Sequence, residues 1–429
     1  MSNNTIFFLT YNLIGGNKTN KMEITKSFVA GKKDKADIEI NLKPSKNESI
    51  EVTLESSVER LFGNHIRDYI KEYLLRYGIA FCEIEVVDDG ALDFVIKSRL
   101  EAALFKFNSP FLDRFNFGKK DKKQKTDDFR RTRLYLPGNN PYLMEGGGLF
   151  GADVIILDLE DAVSQKEKID ARFLVRNALS VLDFGESEVI VRINPFSNGG
   201  EDDVKTILLA LPDAIMLPKT GSARDVMKLD KLLEETENKN NIPIGDTKIF
   251  PLIETAEGVL NAYEIAKAST RNVMLTFGAE DFTADIGVKK SKEGKELFFA
   301  KSQIVLAARA AGIQVSDTVY SDFEDIEGLI LDTEASKSIG FDGRGVIHPL
   351  QIEHIHNIYK PSEEEIEYAR KVVAALGEAK ERGSGVASLE RKMIDAPVAE
   401  RARRVIQLAE KYKRRESKDK LKVKSKKLK

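Results

Sequence analysis

The spacing of apolar residues changes partway along this 429-residue chain. Up to about residue 117, short strand-like runs predominate: "MEITKSFVAG", "DIEINL" and "IEVTLES" come first, and "FCEIEVVD" and "DFVIKSRLEAAL" follow a helical interlude. That interlude, residues 57–77, places Val58, Leu61, Phe62, Ile66, Ile70, Tyr73, Leu74 and Tyr77 at helical spacing, with Ser57 as its cap. Together these predict a small α+β domain. From residue 130 onward strands and helices alternate. Eight apolar strand candidates stand at 133–136, 154–159, 189–193, 214–217, 248–253, 273–277, 314–319 and 345–347, with amphipathic stretches such as 164–182, 222–235, 257–268 and 296–311 between them. Eight strands separated by helices predict a (β/α)8 TIM barrel. The competing architecture is an open doubly wound sheet, but no Gly-x-Gly-x-x-Gly follows the first strand.

Residues 118–128, "GKKDKKQKTDD", contain no apolar side chain and cannot bury enough surface to order themselves. The expected organisation is therefore an N-terminal extension (1–21), a small domain (22–117), a charged linker (118–129), the barrel (130–360), a C-terminal helical extension (361–410) and a basic tail (411–429). The formal net charge is −2, but residues 411–429 carry eleven Lys or Arg against Glu416 and Asp419, a local +9 that leaves −11 for the rest. An acidic body argues against nucleic-acid binding, and the tail reads as a solvated, disordered end. The lone cysteine, Cys82, excludes an intrachain disulfide or a Cys-based zinc site and fits a cytoplasmic protein. "TIFFLTYNLIGG" near the start is too short for the roughly 20 residues of a bilayer span, so no targeting or membrane segment is expected.

In a barrel of this kind, reacting groups belong at the carboxyl ends of the strands. Those ends read "LPG" (136–138), "DLED" (158–161), "VRIN" (191–194), "LPK" (217–219), "ET" (254–255), "GAED" (278–281), "SDTVY" (316–320) and "IHP" (347–349). Glu254 and Asp281 fall on the adjacent fifth and sixth strands and are the candidate metal ligands. Two hard carboxylates that leave most positions to water and substrate suit Mg²⁺. His348, His354 and His356 suggest zinc instead, but only His348 lies at a strand end. Arg192 offers a planar fork and Lys219 a point charge for a small anion, with a rim ion pair to Glu160 or Asp161 as the structural alternative for Arg192. A divalent cation beside them points to Lewis-acid chemistry on a 2-keto or 2-hydroxy carboxylate.

The motifs "RRTRLYLPGNNP", "GADVIILDLEDAV", "VIVRIN", "IMLPK", "PLIETAEG", "FGAEDF", "DTVYSDF", "GFDGRGVIHPLQI" and "KMIDAPV" occur in one order over about 130–408. In this the second half resembles the citrate lyase β-subunit family, an HpcH/HpaI aldolase-like domain. The resemblance implies an oligomeric, Mg²⁺-dependent lyase that splits a 3-hydroxyacyl thioester into an acetyl thioester and a 2-keto acid. It further implies that Glu254 and Asp281 hold the metal and that Arg192 binds the keto-acid carboxylate. Leu136, Pro137, Gly138, His348 and Pro349 would line the thioester channel. Asp395 matches an acid that such lyases supply from a neighbouring subunit to handle the enolate proton, with a helix cap as its structural alternative.

Residues 22–104 are similar to the citrate lyase γ-chain, the acyl carrier, through "VAGKKDKADIEI", "LESSVERLFGNHIR" and "DDGALDFVIKSRLEAAL". The carrier family bears its coenzyme-A-like arm on a serine. At that register this chain has Lys35, which cannot form the phosphodiester, and the nearest upstream hydroxyl is Ser27. No prosthetic-group attachment is therefore expected here. The thioester would come on free coenzyme A or on a separate carrier, and the small domain would dock the lyase onto another subunit, such as a citrate lyase α-like transferase, or simply support the fold. A citramalyl-CoA or malyl-CoA lyase, or a thioesterase acting on those products, is the alternative within the same chemistry, and a catalytically idle assembly subunit is the reading from another functional class.

Overall fold

The computed structural model describes residues 22–108 and 129–427. The expected extension 1–21 and linker residues 118–128 lie outside the described residues. The chain divides into two compact units, Met1–Asn116 and Phe117–Lys429.

In the first unit, strands β1 (Met22–Glu23), β2 (Phe28–Ala30), β3 (Ile38–Lys43), β4 (Ile50–Ser56) and β5 (Ile79–Asp88) accompany helices α1 (Glu59–Arg76) and α2 (Asp93–Phe107). β5 is central, antiparallel to β3 and parallel to β4, which reaches it through the α1 crossover. Three local expectations are corrected. Residues 93–104, read as a strand, form α2. The helix buries residues nearly all round, from Phe94, Val95 and Ile96 to Ala102, Ala103 and Leu104, so no polar face marks its 3.6-residue period. α1 buries Ile66, Ile70, Tyr73 and Leu74, whereas Leu61 and Phe62 are exposed. Its N-terminus is Val58 rather than Ser57; the Ser56 hydroxyl accepts from Val58 N at 3.1 Å and donates to Asp88 at 2.6 Å.

The loop between β2 and β3 carries Lys35. Gly31 and Ala36 take positive φ, and the buried Asp37 receives a two-pronged hydrogen bond from Arg99 (2.9 and 2.7 Å). Lys35 sits exposed at the tip, its N–H donating to Asp34.

In the second unit, β6 (Thr132–Pro137), β7 (Val154–Asp158), β8 (Glu188–Arg192), β9 (Ala214–Leu217), β10 (Lys248–Ile253), β11 (Met274–Phe277), β12 (Gln314–Val319) and β13 (Gly343–Val346) pair in parallel and close into a barrel when β13 meets β6. Around them run α3 (Pro141–Gly146), α4 (Lys168–Val181), α5 (Gly200–Ile207), α6 (Ala223–Lys239), α7 (Ala256–Leu260), α8 (Ala262–Lys267), α9 (Ala279–Asp285), α10 (Phe298–Ala311), α11 (Ile326–Ile339) and α12 (Leu350–Tyr359). Val154, Ile156, Ile190, Ala214, Met216, Phe250, Leu252 and Met274 form one buried cluster, with Tyr135 packed against it. Their alternation along each strand marks one inward row.

Beyond the barrel, α13 (Glu363–Glu381) packs with α14 (Ala396–Lys427) across a short hairpin of β14 (Ala387–Leu389) and β15 (Lys392–Ile394). The helical extension thus contains a strand pair, and the basic end read as disordered continues α14 as far as Lys427. Tyr412 ties α14 to the barrel: the Arg131 guanidinium lies 4.9 Å from the rings of both Phe129 and Tyr412 and donates to the Tyr412 hydroxyl at 2.9 Å.

Candidate active site

The inward rows that are apolar through the barrel turn polar at their carboxyl ends. Two residues past Ile156 the row reaches Asp158, two past Ile190 it reaches Arg192, and two past Leu252 it reaches Glu254. Strand alternation thereby delivers one cation and two carboxylates to one mouth.

Arg192 is nearly buried. Its Nε and Nη2 donate to the two oxygens of Asp158, both at 2.7 Å, and its Nη1 lies 2.9 Å from Glu160 and 3.0 Å from Asp161. The fork thus rests on Asp158, and both anticipated rim partners are present as well. The Tyr135 ring lies beneath, 5.3 Å from the guanidinium carbon. Desolvation opposes the charge, but these carboxylates overcome it and raise the Arg192 pKa well above its ordinary value.

The "DLED" turn is built around the same group. Asp158 accepts from Glu160 N at 2.9 Å and Ala162 N at 3.2 Å, and Lys168 Nζ donates to the Leu159 and Glu160 carbonyls at 2.7 and 2.5 Å. Glu160 is buried between two cations, Arg192 Nη1 at 2.9 Å and Lys219 Nζ at 3.3 Å, and among the described residues neither of its carboxylate oxygens receives a hydrogen bond of good geometry. Burial raises its pKa. Sequence reasoning treated Asp158 and Glu160 as rim polarity or pairing partners, and did not identify them as the groups that organise Arg192. The one signal was three acids within the four residues of a strand end.

Glu254 is 1% exposed. One oxygen accepts from the Lys219 backbone N–H at 2.7 Å, a bond presented by the left-handed turn at Lys219 (φ 49°). Burial, then the charges of Glu160 and Asp281, push its pKa up to about 8. Asp281 stands half-buried in the first turn of α9. Among the described residues no three His, Cys, Asp or Glu side chains gather into a metal cluster, so a cation here would rely on two carboxylates plus water and substrate. The donor set fits Mg²⁺ in chemistry: hard oxygens only, repulsion of Glu254 by Glu160 and Asp281 that a divalent ion would offset, and Glu160 oxygens without a hydrogen bond among the described residues, able to order its waters. Zinc finds no such fit. His356 bonds Thr132 at 2.8 Å, at the amino end of β6, away from His348 at the mouth.

The remaining expected site residues divide into two groups. Leu136, Pro137 and Gly138 end β6 at the mouth, and Gly138 N donates to the Asp158 carbonyl at 2.7 Å. His348 and Pro349 follow β13 at the same rim. Asp395 lies elsewhere: it accepts from Val398 N at 3.1 Å and so caps α14, and among the described residues no hydrogen bond or ion pair joins it to the mouth.

Residues 131–349, just over half of the chain, match the family described as HpcH/HpaI aldolase/citrate lyase. The chain belongs to this family. Citrate lyase subunit beta of Leuconostoc mesenteroides subsp. cremoris is 45% identical over 284 residues, covering 65% of this chain and 93% of that one. Human mitochondrial citramalyl-CoA lyase is 34% identical over 293 residues, covering 65% and 85%. The crystal structure of protein CitE from Mycobacterium tuberculosis in complex with magnesium, acetoacetate and coenzyme A superposes with a TM-score of 0.56 at 31% identity, covering 66% of this chain and 98% of that one. Residues 25–107 match a second family, the acyl-carrier-type malonate decarboxylase delta subunit. The expected carrier-like module fused to a citrate lyase-type barrel is thus present. Among the described residues no helix is long and apolar enough to cross a membrane.

In this member of the citrate lyase family, room for Glu254 depends on Gly278. A Cβ there would come within 2.7 Å of a Glu254 carboxylate oxygen and 2.9 Å of its Cβ. Gly278→Ala is expected to displace Glu254 and to cost about 1–3 kcal/mol as overpacking does, which thermal melting beside the wild type reads.

Proposed function

We propose that the chain is a Mg²⁺-dependent carbon–carbon lyase that cleaves a 3-hydroxyacyl thioester of the citryl type to an acetyl thioester and a 2-keto acid such as oxaloacetate. The observation that supports this reading is the mouth itself, where the buried Glu254 feels the charges of Asp281 and of Arg192, whose guanidinium is fixed on Asp158. Bound by Glu254 and Asp281, Mg²⁺ would supply Lewis-acid polarisation of the oxygen that becomes the keto group. Arg192 orients the keto-acid carboxylate, and Lys219, whose ammonium is 3.3 Å from Glu160, adds positive charge at the rim. Leu136, Pro137, Gly138, His348 and Pro349 line the approach of the thioester.

Asp395 is assigned the transfer of a proton to the acetyl enolate of a neighbouring copy. Asp395 caps α14, on the extension beyond the barrel, and this reading places it in a homo-oligomer in which the site is shared. The single buried Cys82 supports a reducing, cytoplasmic setting. Lys35 at the exposed loop tip supports delivery on free coenzyme A or a separate carrier, and leaves the small domain as a docking element for a partner such as an α-like transferase subunit. That feature, with the 34% identity to citramalyl-CoA lyase, favours citramalyl-CoA or malyl-CoA as the second reading.

The test offers purified protein citryl-CoA, citramalyl-CoA and malyl-CoA with Mg²⁺ and follows keto-acid release. EDTA-sensitive turnover of at least one is expected; none on any thioester would point to an idle assembly subunit. After expression beside the prosthetic-group transferase, the intact mass is expected to be unchanged, and a gain matching the arm within residues 1–125 would overturn the assignment of Lys35.

A further inference from the structure

The mouth carries an aromatic surface besides its acids. Phe323, in the loop after β12, and His348, just after β13, are stacked with ring centroids 4.9 Å apart and planes at 23°. Phe323 is 41% exposed, and Ile347 and Leu350, beside His348 in the chain, are 40% and 64% exposed. A cluster of apolar side chains turned to water beside a polar site marks a surface that something covers.

This surface is rigidly supported. Gln351 is fully buried; its amide donates to the Tyr320 carbonyl at 2.9 Å and its oxygen accepts from Ile347 N and His348 N at 3.1 and 3.3 Å, so one side chain ties together the two loops that carry the rings. His348 Nδ1 accepts from Leu350 N at 3.3 Å, which orients the ring. On the other flank, Tyr320 donates to Asp325 at 2.7 Å, and Asp325 caps α11 through Gly328 N at 2.8 Å. The outer face of Phe323 is presented with little ordering left to do on binding.

We propose that Phe323, backed by His348, is a stacking platform for the purine base at the nucleotide end of the thioester carrier. The proposal rests on the thioester-lyase reading. A stacked aromatic pair whose Phe323 ring is 41% exposed can take a third planar ring as an extension of the stack, and base-on-aromatic stacking gains affinity without hydrogen-bond readout. Position agrees: β12 and β13 follow β10 and β11 in barrel order, so at about 4.8 Å per strand the platform lies roughly 10–15 Å along the rim from Glu254 and roughly 5–10 Å from Asp281. An extended arm can span that distance with its sulfur at the acids. The adjoining cleft of about 410 Å³ brings Lys290 and Lys292 near Tyr320, but Lys290 is paired with Glu280 (2.6 Å) and Lys292 with Asp325 (3.3 Å). Its charges largely cancel, so recognition falls on the ring rather than on phosphate.

The chain has no tryptophan, which makes Phe323→Trp a single fluorescent reporter. Calorimetric titrations of the full chain with coenzyme A, adenosine 3′,5′-bisphosphate and pantetheine separate the base from the arm. Phe323→Ala is expected to weaken coenzyme A and the bisphosphate by about tenfold or more with pantetheine unaffected. Phe323→Trp is expected to retain affinity and to be quenched by the two adenine ligands only. Undiminished coenzyme A binding by Phe323→Ala, or an equal loss for pantetheine, overturns the platform. Failure of the wild type to turn over any thioester removes instead the reading on which the platform stands. Unchanged melting of Phe323→Ala shows that the fold is intact.

Discussion

Glu254→Gln is expected to lose at least three orders of magnitude in kcat/KM and, without metal, to melt above the wild type at pH 8.5. Both effects follow from the same charge. The buried carboxyl is pushed up to about 8 by desolvation and by Glu160 and Asp281, whereas in the unfolded chain it titrates near 4.5. Between those values the native state holds a proton that the unfolded chain releases. The contribution of this group to the stability of the metal-free protein is therefore full below about pH 4.5 and is lost as pH rises through about 8, by an amount on the order of a few kcal/mol. Glutamine fills the same space without the charge, so the penalty disappears. The wild type should instead recover stability from Mg²⁺, most strongly at alkaline pH, because binding needs the carboxylate and displaces its proton. Glu254→Gln should show almost no Mg²⁺ shift. Melting at pH 6 and 8.5 with and without Mg²⁺, beside keto-acid release, checks the set. A variant that melts below the wild type at pH 8.5, or that Mg²⁺ still stabilises, contradicts a metal-holding Glu254.

The barrel was legible because its strands are short apolar runs ending in polar residues, a pattern forced by burial on both faces. The least legible strand was β13, expected over 345–347 and found at Gly343–Val346. "GRGV" reads as a loop, but a Cβ at Gly343 would overlap the backbone of Arg130 and Arg131, and Arg344 is fully buried with hydrogen bonds to Thr333 and Asp332 of α11. Its glycine is there for close strand approach, its arginine for a buried outer pair. α2 was misread for the reverse reason, since a helix buried nearly all round shows no period. At the site, a strand-end acid announces itself, but its partner does not. Arg192, Asp158 and Glu160 lie on two neighbouring strands, and only β7–β8 register, Asp158 opposite Arg192, turns two separate motifs into one fork-on-carboxylate contact.

That contact sets the second large prediction. Arg192→Ala is expected to cost about 3–5 kcal/mol of stability, because it strands the buried Asp158 without its fork and leaves Glu160 only Lys219, and to lower kcat/KM by about a thousandfold. Metal binding should move the other way. With a cation removed from an already acidic mouth, Mg²⁺ should raise the melting temperature of Arg192→Ala by more than that of the wild type, which separates loss of substrate orientation from loss of metal. Arg192→Lys keeps the charge but not the planar fork that meets both Asp158 oxygens, so it should recover part of the stability and little of the turnover. The fork also leaves an occupied guanidinium able to play the proposed part in substrate binding. Its edge toward Asp158 is buried, whereas Asp161, on Nη1, has a side chain 55% exposed. An exposed pair is worth little, so a keto-acid carboxylate can displace Asp161 at small cost while Asp158 keeps the guanidinium aimed. Asp161→Asn should then tighten binding of the keto acid, where loss of Asp158 would abolish it.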